Sequence, residues 1–395
     1  MRFGTVPLGE VASINPPAPK LSLHDEVSFL PMADASEDGT VAVSTFRPYG
    51  EVKTGYTGFE NGDILVAKVT PCFENNKIVR ADLPTKFGFG STEFHVVRPG
   101  KRVDPGFLLH FLRQDWVRFA GEHRMTGSGG QRRVPKAFLG QLAFPNIDES
   151  GQRRIAAILD QADALRRLRR QSLLCLSELE HAVFRDLLGD LMINSKCWEE
   201  GSVLGEVADV ASGITKGRKT NGQAVREVPY LAVSNVQDGH VRLDVVKTIE
   251  ATDAEIERFR LRSGDIVLTE GGDPDKLGRG GIWHGEISEC IHQNHVFRVR
   301  IASDRVRPLF LSRLIGSQRG KRYFLRSAKQ TTGIASINMS QLKNFPLLLP
   351  PVATQLKFEE EMEKLGQYKR LLDSALAGAN SLFASLQHRA FRGEL

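Results

Sequence analysis

Leu179-Glu180-His181-Ala182-Val183-Phe184-Arg185 returns 207 positions later as Leu386-Gln387-His388-Arg389-Ala390-Phe391-Arg392. On either side of this pair, further landmarks repeat in the same order. Leu8-Gly9-Glu10-Val11 returns as Leu204-Gly205-Glu206-Val207, Gly62-Asp63-Ile64 as Gly264-Asp265-Ile266, and Phe144-Pro145 as Phe345-Pro346. The offset between copies drifts only from 196 to 207 residues, as in a duplicated module with loop insertions. The period is domain-sized, far above the roughly 20–50 residues of solenoids and propellers. Two similar modules in one polypeptide form a covalent pseudo-dimer, suited to a target with two halves.

The length of 395 residues allows two to three domains, each with a proper core. Hydrophobic residues at 41% and charged residues at 25% place the chain among ordinary globular proteins. A formal charge of +6 permits a nucleic-acid partner without requiring one, because distribution matters more than the total. Cys72, Cys175, Cys197 and Cys290 are isolated in sequence, with neither disulfide nor zinc spacing, which fits a reducing cytoplasm. The start MRFGTVPLGEV has no basic-then-apolar signal pattern, and no 18-residue apolar run exists. The expectation is a soluble cytoplasmic protein with no membrane partner.

Residues 1 to about 147 read as strand-rich structure, with apolar runs at Val41-Ala42-Val43, Ile64-Leu65-Val66 and Phe94-His95-Val96-Val97 between turn signals. One short helix is predicted over Pro105–Arg118, followed by a glycine-rich loop at Thr126–Arg133. From Gln152 to about Leu188 there is no Pro or Gly, and Ile155, Ile158, Ala162, Leu165, Leu176, Leu179 and Val183 recur at helical spacing. Asp148, Glu149 and Ser150 suit its N-terminus, and Gly189 ends it. Such a helix is about 55 Å long, a spacer rather than a packing element. The second module repeats the order. It has strand-like runs at Val228–Val233, Asp265–Leu268 and His295–Val299, a helix near Pro308–Tyr323 and a polar loop at Gln330–Asn338. After Pro350-Pro351 a second long helix runs to about Phe391, with a seam of Leu365, Tyr368, Leu372, Ala375, Ala379, Leu382 and Leu386. Neither seam has a local partner, so the two long helices are expected to pack on each other, antiparallel, with the modules at opposite ends.

In this order of parts the chain resembles the specificity subunits of type I restriction-modification systems, over essentially its whole length. The resemblance is carried by Gln152-Arg153-Arg154-Ile155-Ala156-Ala157-Ile158-Leu159-Asp160-Gln161-Ala162-Asp163-Ala164-Leu165-Arg166 and by Thr332-Gly333-Ile334-Ala335-Ser336-Ile337-Asn338 leading to Phe345-Pro346. Leu8–Val11 with Asn15-Pro16 and the paired Gly-Asp-Ile segments add to it. Where such proteins usually have Pro-Pro and Glu-Gln before the helix, this chain has Pro145-Asn146 with Gly151-Gln152, and Pro350-Pro351 with Thr354-Gln355. The resemblance implies an α+β fold of two similar target-recognition domains, 1–148 and 194–349. Two long helices, 149–193 and 350–395, join them as an antiparallel coiled coil with a pseudo-twofold repeat.

It further implies a non-catalytic adaptor in phage defence. The subunit would choose the DNA sequence, each domain reading one half of a split asymmetric site, with the helices setting the gap and docking methyltransferase subunits. Those partners would bind S-adenosylmethionine, and restriction–translocase subunits ATP and Mg; this chain would carry no cofactor of its own. Half-sites read from one face would lie about 34 Å apart, one DNA turn.

Sequence-specific reading needs paired hydrogen bonds to base edges plus Lys and Arg for phosphates. One loop offers Arg124, Ser128, Gln131, Arg132, Arg133 and Lys136, and its counterpart Lys329, Gln330, Thr331, Thr332, Ser336 and Asn338. A second polar loop beside each Gly-Asp-Ile strand offers Lys68, Thr70, Glu74, Asn75, Asn76 and Lys77, and in the other copy Thr269, Glu270, Asp273, Lys276 and Arg279. Taken singly, each is a polar residue in a solvated turn; their matched placement in both copies makes the functional argument. Lys216, Arg218 and Lys219 are further phosphate candidates. The helix cluster Arg153, Arg154, Arg166, Arg167, Arg169 and Arg170 suits a functional role, lining DNA or pairing with an acidic partner, as well as it suits a plain solvated face.

Signals for catalysis are weak. Asn15-Pro16-Pro17-Ala18 imitates the Asn-Pro-Pro-aromatic motif of adenine methyltransferases, but Ala18 cannot stack on a flipped base. A self-sufficient methyltransferase using Asn15-Pro16-Pro17, or a nuclease, is the alternative. Gly213–Thr220 resembles a P-loop, yet Arg218 sits where Gly must precede Lys219. Strand alternation separates His295 from Cys290 and His292, so a metal site is not expected.

Overall fold

A computed structural model describes residues 3–43, 45–128, 130–219, 222–331 and 334–395. The chain is α+β and forms two compact units, Met1–Leu173 with Leu371–Leu395, and Leu174–Arg370.

In the first unit a four-stranded antiparallel sheet has the order Ala12–Ile14, Phe94–Pro99, Ile64–Ala67, Ile78–Arg80. A second sheet places Glu26–Leu30 between Thr45–Pro48 and Phe87–Gly90, parallel to the latter. Strand Ile64–Ala67 is buried on both faces, so it reads as an unbroken apolar run. Ile64 and Val66 face the core of Phe107, Phe111 and Phe144; Leu65 and Ala67 face the opposite cluster around Phe59 and Phe94. Val41-Ala42-Val43 is not a strand: only Val41 bridges, to Ala35.

The second unit repeats this frame. Its main sheet runs Ala208–Ser212, Val296–Ile301, Ile266–Thr269, Gly280–Ile282, and Arg226–Leu231 again lies between an antiparallel and a parallel neighbour. Ile266 and Leu268 enter one core while Val267 enters the other.

The single helix expected in each module is two helices: Pro105–Leu112 with Asp115–Glu122, and Pro308–Gly316 with Gln318–Ser327. Gln114 and Ser317 adopt extended backbone at the joints, and Ser317 caps the following helix through Gly320 N–H. The polar loop at 330–338 contains strands Lys329–Thr331 and Ile334–Ser336, which pair with each other and with Gly271–Gly272.

The long helices are Glu149–Leu188 and Val352–Arg392. In the first unit the start of one packs near the end of the other: Ile155, Ala156 and Leu159 share a core with Phe383, Leu386, Ala390 and Phe391. In the second unit Val183, Phe184 and Leu187 pack with Phe358 and Met362, the Phe184 and Phe358 rings edge to face at 5.7 Å. Tyr368 and Leu382, expected in the seam, are exposed, as are Leu165 and Leu179. A helix of 3.6 residues per turn drifts across a strict heptad, rotating such positions outward.

Candidate nucleic-acid interface

Each patch begins at a rigid turn. Gly62 (φ +93°) and Gly264 (φ +91°) adopt the left-handed conformation that glycine tolerates. The Asp after each is buried. Asp63 accepts from Arg98 Nε at 2.9 Å and Nη2 at 2.8 Å, and from the Glu60 N–H at 2.8 Å. Asp265 accepts from Arg300 Nε and Nη2 at 2.7 Å each, and from the Arg262 N–H at 2.7 Å. The carboxylate thus ties the turn to the neighbouring strand, and the strand emerges on the patch in the same register in both units.

In the first unit the two candidate loops become one surface. Thr70 N–H donates to the Arg132 carbonyl at 3.0 Å and Val134 N–H to that of Lys68 at 2.9 Å, while Thr126 and Arg133 form an antiparallel bridge. Lys68, Thr70, Arg132 and Arg133 are joined through these bonds, and Gln131 N–H donates to the Ser128 carbonyl at 3.3 Å within the same loop, with Arg124 and Lys136 flanking it in sequence. Several have local partners: Arg132 pairs with Glu74 at 3.1 Å, Arg133 with Glu93 at 2.9 Å, and Arg124 lies over the Phe138 ring at 5.4 Å. Arg133 holds the Glu93 carboxyl below the usual range. Asn75 is an exposed turn residue. Asn76 and Lys77 face inward instead. The Asn76 carbonyl accepts from half-buried Arg113, and Lys77 Nζ donates to the Met32 carbonyl at 3.3 Å.

In the second unit the equivalent bonds run from Ile337 N–H to the Glu270 carbonyl at 2.9 Å and through the Gly271–Ser336 pairing. Glu270, Lys329 and Ser336 meet there, with Thr331 on the same hairpin. Thr332 lies outside the described residues. Thr269 is buried at 4% exposure, and Asn338 caps helix Met339–Lys343 by exchanging hydrogen bonds with Gln341. Arg279 donates to the Val236 carbonyl at 3.0 Å and contacts Gln237; Lys276 pairs with Asp273. The 216–219 turn leans on the other sheet. Lys216 lies over the Tyr230 ring, and Arg218 grips Glu255 at 2.5 Å, drawing that carboxyl down to about 2. Lys219 is exposed.

Asn15 is committed to structure. Its Oδ1 accepts from Val96 N–H at 2.9 Å and its Nδ2 donates to His95 Nδ1 at 3.0 Å, while His95 Nε2 donates to the Val134 carbonyl at 2.8 Å. Burial pushes the His95 pKa down, consistent with this neutral tautomer. Among the helix arginines, Arg166 and Arg167 share Asp163, Arg153 pairs with Glu149, and Arg154 donates to the Leu395 carbonyl. No cluster of three or more His, Cys, Asp or Glu suited to a metal occurs among the described residues. No described helix is long and apolar enough to cross a membrane.

The sequence does not mark Glu93 or His295 as DNA-contacting residues by composition, yet both flank the patches from the turn that enters the neighbouring strand. Their common offset of 202, shared with Gly-Asp-Ile and with Arg98 and Arg300, was the available signal.

No family model matches the chain. Its sequence is similar to the EcoEI type I restriction enzyme specificity subunit of Escherichia coli, 24% identical across 94% of this chain and 79% of that one. The EcoKI specificity subunit of E. coli K12 is 27% identical across 81% and 71%, and the EcoAI subunit is 38% identical across 47% and 32%. Two solved structures share the fold. One, from work on assembly and conformational transition of a type I R-M system, has a TM-score of 0.58 at 16% identity, covering 100% of this chain and 98% of its own. The other, a type I S subunit from M. genitalium, has a TM-score of 0.55 at 14% identity, covering 98% and 96%.

Proposed function

We propose, from the premise that the chain belongs to the type I restriction enzyme specificity subunits, that it binds double-stranded DNA and selects a split asymmetric site. Each unit reads one half. The observation that carries this is the pair of patches: the same backbone bonds build both, yet their side chains differ. A common frame with divergent polar contacts suits two readers of different sequences. The recognition domains correspond to residues 1–148 and 194–349, with 149–193 and 350–395 as the spacer helices. Exposed Leu168, Leu174, Tyr368, Leu371 and Leu382 give those helices apolar surface for methyltransferase subunits. Those partners carry S-adenosylmethionine, restriction subunits carry ATP and Mg, and the complex works in the cytoplasm.

The chain is non-catalytic. The alternative of a self-sufficient methyltransferase is disfavoured because the Asn15 carboxamide is already engaged by Val96 and His95. Purified chain with S-adenosylmethionine should leave DNA unlabelled, and addition of its methyltransferase subunit should produce adenine labelling at a bipartite sequence. Exchanging residues 1–147 for another module should change one half-site alone. A footprint with no sequence preference would overturn the reading.

A further inference from the structure

The backbone that leads into each patch can be superposed bond for bond. Lys68 N–H donates to the Glu93 carbonyl at 2.9 Å, as Glu270 N–H does to His295 at 3.0 Å. Val69 bridges Arg133 as Gly271 pairs with Ser336. The fold therefore puts Lys68, Glu93 and Arg133 of the first unit where the second has Glu270, His295 and Ser336.

At these matched positions acid and base have exchanged places between the segment that follows one strand and the turn that precedes its neighbour. In the first unit the carboxylate is on Glu93, held by Arg133 Nε at 3.0 Å and Nη2 at 2.9 Å, with Lys68 alongside, just after strand Ile64–Ala67. In the second it is on Glu270, with His295 Nδ1 at 2.6 Å. The side chains of Glu93, Arg133, Glu270 and His295 are 28%, 43%, 33% and 56% exposed. Exposed pairs of this kind add little to stability. Their consequence is orientation: a carboxylate fixed at the surface accepts from the exocyclic amino group of a base such as cytosine, and Arg or Lys donates to guanine O6 and N7.

We infer that the triads Lys68/Glu93/Arg133 and Glu270/His295/Ser336 are matched specificity determinants, each reading one base pair of its own half-site. The inference rests on the DNA-reading function proposed above and says which side chains perform it.

The test transplants one triad into the other position, with the complex formed with methyltransferase subunits and a library randomised in both half-sites. The Glu270→Lys, His295→Glu, Ser336→Arg variant should select, at one position of the second half-site, the base pair that wild type selects at the matched position of the first. The first half-site should not change. Glu93→Gln and Glu270→Gln, conservative enough to keep the fold, should each lower discrimination about 5- to 150-fold at one base pair of their own half-site. Thermal melting checks folding, and if the transplant unfolds the two single variants decide the matter. Parental selectivity in both single variants, or a change in the wrong half-site, overturns the inference while leaving DNA reading intact. Absence of sequence preference in wild type would instead be failure of the proposed function itself.

Discussion

His292 sits fully buried on the short strand Ile291–His292 that runs parallel to Arg226–Leu231, its Nδ1 donating to the Val296 carbonyl at 2.6 Å. Its Nε2 finds no partner among the described residues. Burial lowers its pKa from 6.5 to about 4, against the hydrogen bond to Val296 and the charge of Asp265, while Arg298 and Arg300 push it the same way. Below about pH 6.5 the unfolded chain takes up a proton that the folded chain refuses until about pH 4. Stability present at pH 7 is therefore lost as the pH falls through that window, by about 2 kcal/mol at pH 5. In His292→Asn the amide nitrogen can still donate to Val296 but nothing titrates. Urea unfolding at pH 7 and pH 5 should show a difference smaller by roughly that 2 kcal/mol in the variant. An unchanged pH slope would mean that the buried imidazole is not what sets it. Cys290 is buried as His292 is, whereas His295 faces solvent beside Glu270.

At the scale of elements, each long helix is anchored by one glutamine. Gln152 Oε1 accepts from Asp104 N–H at 2.9 Å, and its Nε2 donates to the carbonyls of Arg102 and Ile147 at 3.0 and 2.8 Å. Gln355 does the same with Arg307 N–H, Arg305 and Pro350 at 2.8, 2.9 and 2.8 Å. Gln355→Ala leaves three backbone groups without these partners and should cost about 2–4 kcal/mol, measured by chemical unfolding. Gln355→Glu keeps the acceptor but loses both donations, so it should also destabilise; a neutral result would show that the anchor is not holding the helix. The first long helix was legible because apolar spacing continued with no Gly or Pro through Gln152–Leu188, and the second, which contains Gly366 and Gly378, from its apolar seam. Their anchors were not, because a glutamine in a first turn looks like any polar helix residue until the loop over it is placed. The joints at Gln114 and Ser317 escaped because nothing but local backbone marks them. The position of the polar patches was legible from matched order in two copies. Which members are free was not, since composition cannot reveal that Lys77 binds Met32, that Arg218 binds Glu255 or that Asn338 closes a helix.

At the scale of the whole molecule, that division between engaged and free cations decides how binding should depend on salt. Among the described residues, Arg132, Arg133 and Arg218 are in ion pairs. Lys68, Lys136, Lys219 and Lys329 are in none, and they are spread over both units. Where the charges sit matters more than the net total of +6, so phosphate neutralisation should depend on such free side chains. Each phosphate left without its cation should reduce the magnitude of the slope of log affinity against log salt by about 0.9. The double variant Lys136→Ala, Lys219→Ala should therefore flatten the slope by roughly 2 and weaken specific and non-specific DNA alike, because phosphates carry no sequence. Arg218→Ala should leave the slope nearly unchanged, since its guanidinium is already held by Glu255. Binding titrations of the assembled complex at several salt concentrations distinguish these outcomes. If Arg218→Ala flattened the slope and the lysine pair did not, Glu255 must release Arg218 on DNA. The phosphate-facing surface of the second unit would then lie on its Arg226–Leu231 sheet rather than along the exposed lysines.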